Sequence, residues 1–310
     1  MYRQSLESFR LLDSKVKEVK VTGNVADQRR EQGDLPGAIQ LYQAALQLDG
    51  ETDTGSANMI GFDLAVVHQL QGDLAGAKQE INQALQFWQK NGDRNSQADA
   101  MSGLGNLLLE EADFSGARKM YEQALAIRKS GGDQLTIAET QLGLAELSLE
   151  EAHSPVEQEA SMRQAIEVFQ KQKAGDDEIQ AWYILARALL AQDKAAAAAD
   201  AMEHARALAG KSQNPEVRWR TGIAAARLYV AGKDNAASRM AAQKELKAIV
   251  AKSRELGYRG IELDARLALA EIEIKEGQTA AGRAHLAAIE SDAKAKGYQL
   301  IARNAARVHG

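Results

Sequence analysis

The sequence predicts an all-α solenoid of about seven antiparallel helix pairs that ends in a C-terminal capping helix. Three observations lead to this prediction. Only three of the 310 residues are proline, and helix-favouring Ala, Leu, Glu, Gln, Lys and Arg dominate the composition. Turn signals recur with a period near 40 residues. Around each turn, small and large apolar residues recur at helical spacing, which is typical of repeated helix pairs.

The turn signals divide the chain into units. Each is a glycine or another turn residue in a short polar stretch between two helical patterns, and successive signals lie 39, 40, 40, 41, 39 and 45 residues apart. They stand at Gly33, Gly72, Ala112, Ala152, Asp193, Gly232 and Gly277. Each unit therefore places one helix before its turn and a second helix after it.

Small residues mark where the paired helices touch. Before the third turn Leu104 precedes Gly105, and after it Ala117 lies four residues before Tyr121. This i, i+4 spacing places Ala117 and Tyr121 on one helix face. The same large–small pair recurs in other units, at Leu64-Ala65, Leu144-Ala145, Leu185-Ala186 and Leu269-Ala270.

This pattern resembles the tetratricopeptide repeat, in which W-x2-L-G-x2-Y precedes A-x3-F. Residues 182–189 carry the first part, tryptophan included, and residues 104–121 carry the centre. The resemblance extends over about residues 21–290. The period exceeds the usual ~34 residues. In this the chain resembles the long-repeat proteins, which include kinesin light chains, LGN-type scaffolds and the C-terminal regions of bacterial regulators. It implies a right-handed superhelix whose first helices line a concave groove.

Three regions are predicted along the chain. Residues 1–20 form an N-terminal helix that resembles the second helix of a preceding repeat, residues 21–209 form regular repeats, and residues 210–310 form divergent repeats and the capping helix at 298–308. Pro155 is expected to start a helix, and a long helix is expected at 236–256. A solenoid needs a polar cap, and none is evident at the start, which leaves open whether the chain is part of a longer protein.

The resemblance also implies which side chains face the groove. They lie two residues before and two residues after the leucine of each large–small pair, at Phe62, Val66, Ser102, Asn106, Leu142, Glu146, Tyr183 and Arg187. Trp219, near the start of a later first helix, is a further candidate, as are Glu110 and Glu150.

Four glutamates lie near the ends of first helices, at Glu31, Glu110, Glu150 and Glu276. Carboxylates there are unfavourable with respect to the helix dipole. We interpret them either as an acidic stripe that receives a basic segment or as solvated helix ends.

Composition excludes several classes of function. The absence of cysteine excludes disulfides, thiolate catalysis and Cys-ligated metals. The five histidines form no metal-binding motif, and no catalytic constellation is evident, so the sequence predicts no enzyme, cofactor or metal site. A net charge of −5 and 5% aromatic residues argue against nucleic-acid binding. No apolar run approaches the ~20 residues of a membrane span, and no signal peptide precedes the repeats, so a cytoplasmic location is predicted.

The predicted function is a non-enzymatic scaffold that binds a partner protein's peptide or helix in the groove. The resemblance implies a setting in the sensory or scaffolding region of a larger bacterial regulator, beside a kinase or DNA-binding domain. Two alternatives stay open. Alanine-rich helices favour a self-association module that forms a homo-oligomer, whereas a small-molecule sensor would require a pocket lined by several polar groups.

Overall fold

The computed structural model describes residues 2–49, 55–231 and 236–309, and these ranges contain fifteen α-helices. Their bounds are α1 (Tyr2–Glu31), α2 (Leu35–Asp49), α3 (Gly55–Gln71), α4 (Leu74–Asn91), α5 (Arg94–Glu110), α6 (Phe114–Gly131), α7 (Gln134–Glu150), α8 (Pro155–Gln172), α9 (Gly175–Leu190), α10 (Ala195–Ala209), α11 (Pro215–Ala231), α12 (Ala236–Leu256), α13 (Arg259–Lys275), α14 (Thr279–Ala295) and α15 (Gln299–His309). None of them is long and apolar enough to cross a membrane.

The helices form seven consecutive pairs followed by a single helix. Odd-numbered helices are the first members of the pairs, even-numbered helices are the second, and α15 packs against α13 and α14 at the end. This arrangement confirms the predicted solenoid of helix pairs with a capping helix. The predicted helix starts at Pro155 and the long helix at 236–256 are also confirmed, as α8 and α12.

Every predicted turn position within the described ranges has left-handed backbone geometry. The φ angles are 86° at Gly33, 91° at Gly72 and 82° at Gly277, and they are also positive at three residues that are not glycine. Those three are Ala112, Ala152 and Asp193. A left-handed residue ends a helix and reverses the chain. Gly232 lies outside the described residues.

An aspartate after the turn starts several second helices. The Oδ1 atoms of Asp73 and Asp113 accept hydrogen bonds from the backbone N–H groups of Gly76 and Gly116, both at 2.9 Å. This is helix N-capping, which satisfies an otherwise unpaired N–H group. A Cβ atom on Gly76 would lie 2.3 Å from Asp73 Oδ2, so the glycine makes room for the capping carboxylate.

The extra residues of the long repeat form a second capped turn between units. Gly92, with φ 72°, ends α4, and Asp93 caps α5 by accepting from the Ser96 N–H at 3.1 Å. The predicted boundary between residues 20 and 21 falls within α1, which runs unbroken to Glu31. The division at residue 210 stays a prediction.

Close packing of helix pairs depends on small residues, as predicted. Tyr121 on α6 is 1% exposed. A Cβ atom on Gly105 of α5 or on Gly143 of α7 would lie 2.6 Å from its ring. The two glycines thus let three helices close around one aromatic ring.

The last helices return to the first ones. The Tyr258 hydroxyl donates to the Arg30 carbonyl oxygen at 3.4 Å, and the Tyr298 hydroxyl donates to the Gln69 carbonyl oxygen at 3.1 Å. One continuous apolar core joins residues 65–107 with residues 263–305. The odd-numbered helices from α3 to α15 therefore form a ring around one concave space that is partly open to solvent.

Candidate binding cavity

One cavity of about 850 Å³ lies inside the ring of first helices. Seven helices contribute to its wall, for example through Val66 of α3, Asn106 of α5, Glu146 of α7, Tyr183 of α9, Arg220 of α11, Asp264 of α13 and Asn304 of α15. Its volume falls in the range of roughly 300–1,000 Å³ that is typical of ligand pockets. The wall combines charged and amide side chains with leucines from α5, α7 and α9.

Seven of the eleven predicted groove residues line this cavity. They are Val66, Asn106, Glu110, Glu146, Glu150, Tyr183 and Arg187. The four residues predicted two positions after a leucine all line the cavity: Val66, Asn106, Glu146 and Arg187. Of the four predicted two positions before a leucine, Tyr183 alone lines it.

The other four predicted residues lie elsewhere. The ring of Phe62 packs edge-on against Trp88 at 5.9 Å, and Trp219 packs against Tyr258 at 5.2 Å between ring centroids. Leu142 is 6% exposed in the apolar core. The Ser102 hydroxyl is buried without a hydrogen-bond partner in the described part of the chain.

Helix geometry explains this split. Residues two before and two after the leucine differ by four positions, so they share a face but lie about 6 Å apart along the axis. In α3, α5 and α7 the cavity is lined from the C-terminal half of the helix. The earlier position lies one turn closer to the N-terminus, where neighbouring helices pack.

Glu150 of α7 joins three helices at the cavity wall, through Arg187 of α9 and Asn304 of α15. The Arg187 side chain also reaches a second carboxylate of α7. Its guanidinium donates to Glu150 at 2.5 Å and lies 3.6 Å from Glu146. The Asn304 side chain of α15 also donates to Glu150, at 3.2 Å. Burial raises the pKa of Glu150, but Arg187 and Asn304 outweigh that effect and hold it below its usual value.

A second ion-paired group comes from the divergent repeats. Arg227 donates to Asp264 at 2.8 Å and to Glu271 at 3.0 Å, and Arg220 donates to Glu216 at 2.9 Å. None of these residues was predicted as a site. The large–small pair that located the groove positions is absent from α11, so opposite charge was the one signal available there. Glu271, in contrast, follows Leu269 of the Leu269-Ala270 pair by two residues, so the same rule could have found it.

Glu110 differs from the other cavity carboxylates because it has no ion pair or hydrogen bond within the described ranges. Burial raises its pKa to about 7. Arg220 opposes this rise, whereas Glu146, Asp264 and Glu216 add to it. Glu110 is thus a half-buried acid that the nearby charges compensate poorly.

Two neutral polar groups also face the cavity. Tyr183 is 4% exposed, and its hydroxyl has no hydrogen-bond partner among the residues that the structure describes. Asn106 accepts a hydrogen bond from the Tyr121 hydroxyl at 2.6 Å through Oδ1. This contact engages its oxygen and leaves its amide N–H groups as donors.

The wall is of mixed charge rather than a uniform acidic stripe. Six carboxylates and four guanidinium groups line it. Of the four glutamates interpreted as a stripe, Glu110 and Glu150 reach the cavity and Glu31 and Glu276 do not. Glu276 instead pairs with Arg239 at 3.6 Å.

A smaller cavity of about 560 Å³ lies between α1, α3, α4 and α5. Trp88 forms part of its wall, beside Asp27 and Asp63. Burial raises the pKa of Asp63 to about 7, and the neighbouring Asp27 adds to the rise. No predicted site residue lines this cavity. Across the described residues, no cluster of three or more His, Asp or Glu side chains is arranged to hold a metal ion.

Comparisons with known proteins match this architecture. Residues 53–130 match the tetratricopeptide repeat family. The apo form of RapI has a TM-score of 0.64 at 14% identity over 90% of this chain and 98% of RapI. A Rap protein complexed with competence and sporulation factor has a TM-score of 0.65 at 14% identity over 91% of this chain and 78% of that protein.

A third similar structure is the Rap conjugation gene regulator of the plasmid pLS20 in complex with the Phr* peptide. Its TM-score is 0.57 at 13% identity over 84% of this chain and 74% of the regulator. No curated protein sequence matches the chain. At these identities the structural likeness shows a shared helical-repeat fold.

Proposed function

Because residues 53–130 match the tetratricopeptide repeat family and turn signals recur about every 40 residues along the chain, we propose that it is a non-enzymatic scaffold that binds a short peptide segment of a partner. The bound segment occupies the cavity inside the ring of first helices. The observation that carries this proposal is the convergence of seven helices on one cavity of about 850 Å³ with a mixed polar and apolar wall.

The wall offers what a buried peptide needs. A peptide backbone brings N–H and C=O groups that must be paired when they leave water. The amide N–H groups of Asn106 and the side chain of Gln180 can pair with such groups, and Leu109, Leu149 and Leu190 provide apolar contacts. One protein with a similar fold is known in complex with a peptide, which supports the same use here.

The test is direct binding of a peptide library before and after the cavity is filled. A positional-scanning library of acetylated, amidated hexapeptides is applied to the purified chain and to the variant Ala224→Trp. Ala224 lines the cavity, so the indole should occupy the peptide's space and reduce affinity at least tenfold. The matched control is Ala126→Trp, since Ala126 is exposed on α6.

Two results would contradict the proposal. Retention of no hexapeptide by the unsubstituted chain would remove peptide binding. Equal affinity of the chain and Ala224→Trp for a selected peptide would move binding away from the cavity.

A small-molecule sensor is the second candidate, and the polar wall of the cavity favours it. That alternative requires a pocket lined by several polar groups, and six acidic and four arginine side chains line the cavity wall. A ligand that binds only the folded state at free concentration c stabilises it by RT ln(1 + c/Kd), so the melting temperature keeps rising as the ligand concentration exceeds Kd. A thermal-shift screen with metabolites, repeated on Ala224→Trp, separates the two candidates. A small-molecule sensor should be stabilised by a metabolite and should lose this effect in the variant, whereas a peptide-binding scaffold should respond only to peptides.

We further propose that the chain acts in the cytoplasm as the sensing or scaffolding part of a bacterial regulator and does not bind nucleic acid. Its fold is similar to that of a gene regulator, and its net charge is −5. Self-association stays a prediction, and light scattering on the purified chain measures it.

A further inference from the structure

The ion pairs of the cavity leave one acid unmatched. Three of the four arginines are engaged: Arg187 with Glu146 and Glu150, Arg220 with Glu216, and Arg227 with Asp264 and Glu271. The fourth, Arg307, is exposed on α15. Five carboxylates thus share three inner guanidinium groups, and Glu110 is a sixth carboxylate with no pair in the described part of the chain.

The surroundings of Glu110 contain a second group without a partner. Tyr183 is almost completely buried and lines the same cavity, and its hydroxyl forms no hydrogen bond to any residue that the structure describes. Glu110 and Tyr183 both interact electrostatically with Glu146, Glu216 and Arg220, so they belong to one region of the wall. Neither the Tyr183 hydroxyl nor the Glu110 carboxylate is among the described side-chain atoms that are buried without a partner. Both groups therefore face the cavity, where a ligand can pair with them.

The charge balance decides which ligand chemistry suits this region. An anionic group would approach an excess of carboxylates, whereas a cation would offset it. Lysine and arginine side chains carry several N–H donors and no acceptor, which complements an unpaired carboxylate and a hydroxyl oxygen. We propose that the cavity selects a peptide with a lysine or arginine side chain, whose cationic group binds Glu110 and the Tyr183 hydroxyl. This inference rests on the proposed peptide-binding function.

Binding of a cation at this place should be coupled to proton release. The pKa of Glu110 is about 7, because of burial and because Glu146, Asp264 and Glu216 add to the rise that Arg220 opposes. A cation beside the carboxylate stabilises its charged form and lowers its pKa. Near pH 7 the bound peptide therefore displaces part of a proton from Glu110, and affinity rises with pH through this range.

The hexapeptide library tests the selection. Each position contains lysine, arginine and their uncharged counterparts norleucine and citrulline, and acetylation removes the N-terminal ammonium group. We expect the chain to enrich lysine or arginine at one position at least tenfold over the uncharged counterpart. Glu110→Gln should reduce this preference to within twofold. Glu122→Gln, at an exposed glutamate on α6, should retain it.

The variants must remain folded for this comparison, which thermal melting establishes. Calorimetry of one selected peptide at pH 7, in two buffers of different ionisation enthalpy, then counts the protons released. The unsubstituted chain and Glu122→Gln should release protons on binding, and Glu110→Gln should release fewer. This readout separates a direct contact from a general loss of affinity.

The possible failures are distinguishable. If the chain retains hexapeptides without preferring lysine or arginine, or if Glu110→Gln keeps the preference and the proton release, the inference is wrong and the peptide-binding proposal stands. A copy of the library without N-terminal acetylation tests the other possible cation. If affinity depends on the free N-terminal ammonium group and not on lysine or arginine, the side-chain assignment is wrong. If no hexapeptide is retained, both proposals fail.

Discussion

At the scale of single residues, the cavity concentrates groups that binding can use but folding alone does not satisfy. Glu150 has Arg187 and Asn304 as partners, whereas Glu110, forty residues earlier at the equivalent repeat position, has none within the described ranges. The two glutamates are equivalent in sequence pattern. They differ because their environments come from helices far away in the chain.

The stability of Glu110→Gln should depend on pH. The folded-state pKa of Glu110 is about 7 against an ordinary value of 4.5. The stability associated with its neutral form is therefore fully present below about pH 4.5 and is lost as the pH rises to about 7. Glutamine does not titrate. Between these pH values the free energy of unfolding of the variant should therefore rise relative to that of the natural chain, by at most about 3 kcal/mol. Urea unfolding at pH 5 and pH 8 measures the gain, and a difference independent of pH would contradict it.

Gly105 offers a residue-scale test of packing. Its added Cβ atom would lie 2.6 Å from the buried Tyr121 ring, so Gly105→Ala should lower the free energy of unfolding by about 1–3 kcal/mol through overpacking. Gly61 is a matched control in α3, where an added Cβ atom meets nothing within 4 Å. There alanine should raise stability by up to about 1 kcal/mol through helix propensity. Urea unfolding measures both variants. A change of the free energy of unfolding in the same direction for both would contradict this reasoning.

At the scale of helices, the features that recur in every repeat could be predicted from the sequence, and those specific to one repeat could not. Turn residues such as Ala112 and Asp193 could be located because each unit has the same local geometry. Asn106 and Glu146 could be placed on the cavity wall because their helices keep the leucine–small pair. Leu142 was predicted to face the groove but lies in the apolar core. The repeat pattern shows which face of a helix points inward, but it does not show which part of that face is covered by neighbouring helices.

Two tyrosines should hold the returning helices to the first ones. The hydroxyls of Tyr258 and Tyr298 donate to the carbonyl oxygens of Arg30 and Gln69 near the C-terminal ends of α1 and α3. These two oxygens also accept hydrogen bonds from the backbone N–H groups of the turn glycines. Each change to phenylalanine should lower the free energy of unfolding by about 0.5–1.5 kcal/mol. Tyr298→Phe should have the larger effect because its hydrogen bond is shorter.

The control for this prediction is Tyr183→Phe. Its hydroxyl has no partner in the described residues, so its removal should leave the stability of the empty protein almost unchanged. Guanidinium unfolding of the three variants gives the comparison. An equal loss of stability in all three would mean that the hydroxyl contacts do not hold the helices together.

At the scale of the whole molecule, closure of the ring could not be read from the repeats. Each repeat determines contacts with its neighbours, whereas closure depends on the accumulated rotation of seven units, to which small deviations in every turn contribute. Residues 19–67 and 223–272 share one apolar core, as do residues 65–107 and 263–305. Arg220, Arg227 and Asn304 became cavity residues through this closure, which is why the repeat pattern did not identify them.

Closure should also change how the molecule unfolds. In an open solenoid, stability is roughly a sum over repeats and their nearest neighbours, so damage near one end stays local. Leu286 on α14 is fully buried in the core that joins residues 65–107 with residues 263–305, and Leu286→Ala should lower the free energy of unfolding by about 2–5 kcal/mol.

Hydrogen exchange locates the effect of this substitution. Because α13 and α15 pack on α3 and α5, amides of α3 to α5 should lose protection together with those of α13 to α15, although more than 170 residues of sequence separate α5 from Leu286. Arg283→Ala, at an exposed position of α14, should change neither region. Loss of protection confined to α13–α15 would mean that the contacts between the ends do not couple them, and that the cavity can open without unfolding its first repeats.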